Sequence, residues 1–446
     1  MKHATAEVIP LHSADEPPRQ SGMRLCQGNA LYKEAGCKVR GLNFDHAKTK
    51  DAKMNLLIEN VRLWDGTNAT SQTKMSVEIR DGYIHWVGSA SEWPGTRANI
   101  SVVEGAARTL IPGMMDCHVH YCSPGGPDWI ARFLDPLPEL TLRASELADT
   151  SLRAGTTTVR DAGGVHNVNI QLAHRANSGA IRAPHMHAAG SHIAYRGTYV
   201  PFAHLFGDAE ELRTAIRTEI EAGADWVKVA LDPWNQGTRP EGAADIPFDE
   251  RLLAVAVEES HQAGFKIACH AVDATSCRIA ARAGVDSLEH GIYLSPEDAQ
   301  AMAQHNTYLV PTMSVWDAML YYAREVEWPE ASKKRAEDFR EHSRAAVSSA
   351  ILAGVPIALG TDAGGGAARH GRIAREVELM IECGMEPHAA LIAATSSAAK
   401  LLEERQRGTI EVGKIADLVL LDANPLEDAG ALRLIAAVFQ AGKRVA

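Results

Sequence analysis

The sequence predicts an α/β fold of alternating helices and short parallel strands, with β-rich segments on either side. Two observations carry this. From about residue 109, five helix-like stretches end in Ala-Gly and pass at once into a short β-branched run. Before that point, and again after Lys400, turns and strands alternate without helices.

At 446 residues the chain is long enough for one large domain and a smaller one. The first 53 residues stand apart: they hold Pro17-Pro18, scattered charges and no sustained period, and are expected to form a flexible arm. Residues 54–108 open a β-rich segment with Leu56-Leu57-Ile58-Glu59-Asn60-Val61-Arg62-Leu63-Trp64, ended by Asp65-Gly66. A second β-rich segment spans 406–446, with Gly408-Thr409-Ile410 and Ala416-Asp417-Leu418-Val419-Leu420-Leu421. The two are expected to pair into one small sandwich.

Between them, residues 109–405 carry the helix–strand rhythm. The five pairs are Ala154-Gly155, Ala222-Gly223, Ala263-Gly264, Ala283-Gly284 and Ala353-Gly354. Glycine suits a helix C-terminus because it takes positive φ without steric cost. The runs behind them, such as Thr156-Thr157-Thr158-Val159 and Val355-Pro356-Ile357-Ala358-Leu359, have strand character. Helices alternating with short apolar strands imply βα units and a parallel sheet. Further strands near 110–118, 184–190 and 307–312 bring the count to eight. A closed barrel has that count, and an open doubly wound sheet would give a similar rhythm.

Composition narrows the function. A net charge of −11 leaves no basic face for phosphates and argues against nucleic acid as a partner. No apolar run approaches the roughly 20 residues that span a bilayer. Behind Met1-Lys2-His3 there is no apolar stretch of a secretory signal. Seven cysteines without paired spacing do not form a disulfide framework, so a reducing cytoplasm is the expected location.

In parallel α/β proteins, chemistry sits where strands end and βα loops begin. His118 and His120 end the strand that starts near Leu110. Two apart on a strand, they share a face and can grip one metal ion; a chance His-x-His is the plain alternative. Lys228 lies in Trp226-Val227-Lys228-Val229-Ala230, where both faces should be buried and an isolated ammonium is costly. It either snorkels from the strand end or is carboxylated by CO2, giving a carbamate that can bridge two cations. His270 and His290 follow their glycines at equal offsets in consecutive units, and Asp362 ends the strand after Gly354. Asp362 could otherwise cap a helix.

Other features carry less. Asp161 is expected to organise a turn, and Gly364-Gly365-Gly366 to be a hinge, because no Lys-Ser/Thr follows it. Cys117 and Cys269 lie one position off the ligand face and are expected to pack outward. No Gly-x-Ser-x-Gly elbow supports a serine hydrolase.

Taken together, the chain from about 54 to 446 resembles the amidohydrolase superfamily, in its imidazolonepropionase-like and prolidase-like branch. The resemblance rests on Ile111-Pro112-Gly113-Met114-Met115-Asp116-Cys117-His118-Val119-His120, Ala224-Asp225-Trp226-Val227-Lys228-Val229 and His270-Ala271. It extends through Gly284-Val285-Asp286-Ser287-Leu288-Glu289-His290-Gly291, Gly360-Thr361-Asp362-Ala363-Gly364 and Gly408-Thr409-Ile410-Glu411-Val412-Gly413-Lys414. It implies a (βα)8 TIM barrel with a composite β-sandwich from the flanking segments, and two divalent ions, usually Zn2+. By analogy His118, His120 and Asp362 bind one ion, His270 and His290 the other, and carboxylated Lys228 bridges them. Single-metal members of the superfamily lack this lysine, so it points to the binuclear type. Two cations would share a water, depress its pKa and give a bridging hydroxide that attacks a carbonyl. Asp362 would pass the proton to the departing nitrogen.

Two loops depart from the prolidase-like pattern. Ser191-His192-Ile193-Ala194-Tyr195-Arg196-Gly197 replaces a Gly-rich stretch, and Leu231-Asp232-Pro233-Trp234 follows the lysine strand. Arg196 could hold a substrate carboxylate, Tyr195, Trp234 or Trp316 could stack on a ring, and His370 lies near the expected pocket mouth. The substrate is therefore read as a small molecule with an amide-type C–N bond. It is a dipeptide or N-acyl amino acid, or alternatively an aryl amide, urea or carbamate. A deaminase would want a Glu beyond His270, for which Asp273 is a weak stand-in; a metal-free scaffold would have no reason to keep six converging ligands. Relatives often form symmetric homo-oligomers, and the same is expected here.

Overall fold

The computed structural model describes residues 55–232, 247–325 and 329–446. The arm over 1–53 and Trp234 lie outside the described residues.

The fold is mixed α/β. Its first strands are β1 (Asn55–Leu63), β2 (Gln72–Arg80), β3 (Tyr83–Ser89), β4 (Ser101–Glu104) and β5 (Thr109–Pro112). Parallel strands follow: β6 (Met114–Val119), β7 (Thr156–Asp161), β8 (His185–Ala188), β9 (Ile193–Tyr195), β10 (His204–Phe206), β11 (Trp226–Ala230), β12 (Lys266–Ala271), β13 (Ser287–His290) and β14 (Tyr308–Val310). The chain ends in β15 (Leu418–Leu421), β16 (Ile435–Gln440) and β17 (Lys443–Arg444).

The flanking segments pair into one sheet, ordered β17-β16-β15-β5-β1-β2-β3 with β4 beside β1. The join is β5 against β15, antiparallel from Leu418↔Pro112 to Leu421↔Thr109. One face packs a cluster that includes Ile58, Val77, Ile79, Leu110, Leu418 and Phe439. The continuous apolar run 110–118 thus divides at Gly113, with β5 in this sheet and β6 in the parallel one. Gly113 lets the chain cross, because a Cβ there would meet Thr157 Oγ1 at 2.1 Å.

The parallel strands form a six-stranded sheet, β10-β9-β11-β12-β13-β14, and a three-stranded one, β6-β7-β8. The Asp225 amide donates to Ala188 O at 2.7 Å, between the ends of β8 and β11. The predicted strand 355–359 makes isolated parallel bridges only: Leu309↔Ile357 towards β14 and, just beyond it, Val119↔Ala363 towards β6. Helices cover the strands, and the largest apolar cluster lies between the two layers, around Phe206, Val227, Phe248, Ile267 and Leu309.

All five Ala-Gly pairs end helices: Leu137–Arg153, Ala209–Glu221, Glu250–Gln262, Ala274–Ala283 and Glu330–Ala353. Their glycines have φ between +73° and +100°, the left-handed region that stops a helix at little cost. None of the described helices is long and apolar enough to cross a membrane.

Candidate metal centre

His118 lies in β6 and His120 just beyond it, both buried. The His118 Nδ1–H donates to the Glu289 carboxylate at 2.6 Å, and the His120 Nδ1–H donates to the Gly163 carbonyl at 2.8 Å. Because both partners are acceptors only, each ring keeps its proton on Nδ1 and directs the Nε2 lone pair into the site. The Asp362 carboxylate meets those lone pairs, with Oδ1 3.2 Å from His120 Nε2 and 3.6 Å from His118 Nε2. Donor atoms of all three residues lie within 4.8 Å of one another, a spacing that one cation can bridge.

His270 in β12 and His290 at the end of β13 stand beside this trio. Their ring centroids are 4.5 Å apart, and His290 is 5.0 Å from His118. Thr312 Oγ1 lies 2.7 Å from His290 Nδ1, and the Tyr199 hydroxyl 3.4 Å from His270 Nδ1. Burial pushes His118, His270 and His290 well below the usual histidine range, which favours the neutral imidazole, the form that can bind a metal. Asp362 and His290 both sit at positive φ, +53° and +72°, conformations that non-glycine residues adopt at some cost and that cluster at functional sites.

Lys228 in β11 is 1% exposed, and its Nζ has no hydrogen-bond partner among the described residues. Burial lowers its pKa to about 8, against the opposing pull of Glu289. A buried, unpaired amine is costly as an ammonium.

A fully buried arginine organises the layer beneath. Arg160 donates to Cys117 O at 2.6 Å, to Ser287 Oγ at 2.9 Å and to Glu289 Oε1 at 2.6 Å. Desolvation pushes the Glu289 pKa up, but the Arg160 and Lys228 charges outweigh it and hold the carboxyl below its usual range. Glu289 therefore stays an anion that fixes His118. The sequence reading passed over Glu289 and Arg160; a charged pair in two otherwise apolar buried strands was the available signal.

His118, His120, His270, His290 and Asp362 line a cavity walled by Trp129, Phe133, Tyr199, Phe202, Trp316 and Met319. His192 also lines it, unassigned by sequence, with its ring 5.1 Å from His120 and Nδ1 without a described partner. Trp316 reaches the wall as expected. Three other expectations need correction. Arg196 is turned away: it pairs with Glu211 at 2.7 Å, its side chain 63% exposed. Tyr195 packs on Phe206, ring centroids 5.5 Å apart, on the helix side of its strand. His370 stacks on Tyr121 and lies 3.0 Å from Ser123 O, buttressing the loop after Asp362 rather than lining the cavity.

Cys269 packs into the helix-side cluster, as its position predicts. Cys117 does not: it joins Trp226, Ala268 and Val310 on the face that carries Lys228. The register of β6 on β7 shifts between Asp116 and Val119, and this irregularity breaks the two-residue alternation. Asp161 organises its turn, accepting from the Tyr121 and Gly163 amides. Asp273 caps the helix Ala274–Ala283 through the Thr275 amide and so has a structural role.

Residues 109–445 match the Amidohydrolase family. The chain belongs to it. Among amidohydrolase relatives, ochratoxinase of Aspergillus niger is 26% identical over 416 residues, covering 86% of this chain and 84% of that protein. Imidazolonepropionase of Streptomyces griseus is 25% identical over 428 residues, covering 88% and 97%. The crystal structure of a Xaa-Pro dipeptidase with bound methionine in its active site superposes with a TM-score of 0.78 at 27% identity, covering 87% and 99%. This amidohydrolase is thus a metal-dependent hydrolase acting on carbon–nitrogen bonds of small molecules.

Proposed function

We propose that this amidohydrolase is a binuclear zinc enzyme that cleaves an amide-type bond in a substrate bearing an uncharged aromatic group. One observation carries the metal centre: the Lys228 Nζ is buried without a hydrogen-bond partner among the described residues, and its charge acts on His118, His270, His290 and Asp362. The donor set fits two ions. His118, His120 and Asp362 would hold one, His270 and His290 the other. Lys228 would bridge them after its neutral amine adds to CO2 and releases a proton, leaving a carbamate anion. Bound divalent ions supply a water acidified towards neutrality and polarise the scissile carbonyl. Asp362, whose carboxyl burial pushes above its usual range, is placed to take a proton and deliver it to the departing nitrogen. Glu289 and Arg160 hold His118 in place, and the aromatic wall limits access of bulk water.

The parallel strands are read as a (βα)8 barrel over 109–405, with 54–108 and 406–446 as a composite β-sandwich. The Asp225–Ala188 hydrogen bond and the two isolated parallel bridges support closure of the strands into a ring.

The wall favours the aryl substrate. Its described side chains include five aromatic rings and neither arginine nor lysine, and an aromatic side of the substrate gains from stacking there. A dipeptide or N-acyl amino acid is the second reading, favoured by the unpartnered His192 Nδ1 on the wall, which could donate to a carboxylate. Kinetics of the zinc-loaded enzyme on matched pairs separate them: neutral aryl amides, ureas and carbamates against dipeptides and N-acyl amino acids. A higher kcat/KM on the neutral aryl member is expected. Preference for the carboxylate member would overturn the aryl assignment, and fewer than one bound metal per chain would overturn the metal centre.

A further inference from the structure

A second group of metal-ligating side chains lies at the beginning of β8, away from the strand ends that carry the catalytic cluster. β8 reads His185-Met186-His187-Ala188, and its burial alternates. Met186 and Ala188 enter the apolar cluster under the helices, and the two imidazoles share the other face. Both direct Nε2 at one oxygen: His185 Nε2 lies 2.8 Å and His187 Nε2 2.9 Å from Glu404 Oε1. Glu404 comes from the turn behind the helix Ser396–Leu401, more than two hundred residues along the chain. Donor atoms of the three residues lie within 4.8 Å of one another.

The carboxylate is held from behind. Arg407 Nη1 binds Glu404 Oε2 at 2.8 Å, while Arg407 Nε binds Asp417 Oδ2 at 2.9 Å. That leaves Oε1 for the histidines. Such an outer partner fixes a ligand's orientation. The rings meet edge to face, centroids 5.5 Å apart, so their nitrogens converge without stacking. The side chains of His185, His187 and Glu404 are 24%, 17% and 11% exposed, so the cluster is reached from solvent. At these distances either the Nε2–H groups donate to Glu404 Oε1, or a cation takes the place of those protons between two imidazole lone pairs and the carboxylate.

We propose that His185, His187 and Glu404 form a further, structural site for a divalent cation of zinc type, distinct from the catalytic centre. Two nitrogens, one carboxylate oxygen and a water make the tetrahedral set such an ion takes. The ion would tie β8 to the segment that leads into the C-terminal strands. It closes a loop of more than two hundred residues, so its binding energy adds to folding stability.

The test uses the full chain, stripped with chelator, reloaded with Zn2+ and desalted, with metal counted by mass spectrometry. H185N/H187N is expected to hold about one ion fewer than wild type and to lose part of the Tm gain that zinc brings. H118N/H120N is expected to keep that ion while losing metal from the catalytic centre, which separates this site from the other. Equal counts in wild type and H185N/H187N would overturn the proposal. If the variant does not fold, wild-type crystals soaked in zinc decide. An anomalous peak beside Glu404 Oε1 at the zinc edge is expected, and its absence overturns the site.

Discussion

His118 and Glu289 meet at 2.6 Å inside the protein, an imidazole Nδ1–H on a fully buried carboxylate, although 171 residues separate them in the chain. The contact sets which nitrogen of His118 faces the cavity. Arg160, itself bound to Glu289 at 2.6 Å, keeps the carboxylate charged.

Glu289→Gln is therefore expected to weaken zinc binding by about 10–100-fold, the usual cost of losing a partner that orients a ligand. Competition against a calibrated chelator measures it. Unchanged affinity would show that His118 is oriented by packing alone.

Lys228→Ala is expected to cost more metal affinity than that, because on the proposed reading it removes a ligand and not only its support. Activity should fall with the second ion, and a small carboxylic acid added to the variant should restore part of both. In wild type loaded with carbon-13 bicarbonate, a carbamate resonance is expected that Lys228→Ala lacks. A fully active variant would end the bridging role.

Asp362→Asn is expected to lower kcat by about 10²–10⁴, the range for a positioned acid–base group. The loss should be greater for a poor leaving group, such as an alkyl amide, than for an activated nitroanilide. An equal loss across leaving groups would show that Asp362 serves only as a ligand.

Gly360→Ala tests how tightly the floor of the site is packed. A Cβ there would meet Val310 Cγ1 at 2.4 Å and His118 Cβ at 2.8 Å. The expected cost is about 1–3 kcal/mol of stability from overpacking, together with reduced zinc retention as His118 is displaced. Thermal unfolding and metal content check the two separately, and wild-type values in both would show that the neighbours yield.

Trp316→Ala is expected to raise KM for a neutral aryl substrate while leaving metal content unchanged, since Trp316 walls the cavity without a ligand role. Unaltered kinetics would remove the stacking contribution.

The residues that sequence alone could find share one property: their signal is local. A glycine at positive φ behind each helix marks where the next strand starts, and this placed His270, His290 and Asp362 near strand ends before any contact was known. The two-residue period put His118 and His120 on one face, and burial implied for both faces of Trp226–Ala230 made Lys228 conspicuous. Family motifs then assigned the set to one centre. Where local rules met a non-local irregularity they failed, as at Cys117, whose side is decided by the register shift between β6 and β7.

The sequence by itself determined the alternation of helices and strands and the division at the β-rich flanks, because backbone periodicity and helix stops are fixed within a few residues; the family resemblance then nominated the six ionisable residues proposed as the centre. Only tertiary structure decided that Arg196 spends its charge on Glu211, that His192 joins the wall, that Glu289 holds His118, and that Glu404 meets two histidines of β8. Each of those depends on which distant strand or helix lies alongside. That choice is made by the packing of the whole chain, and no short stretch of residues records it.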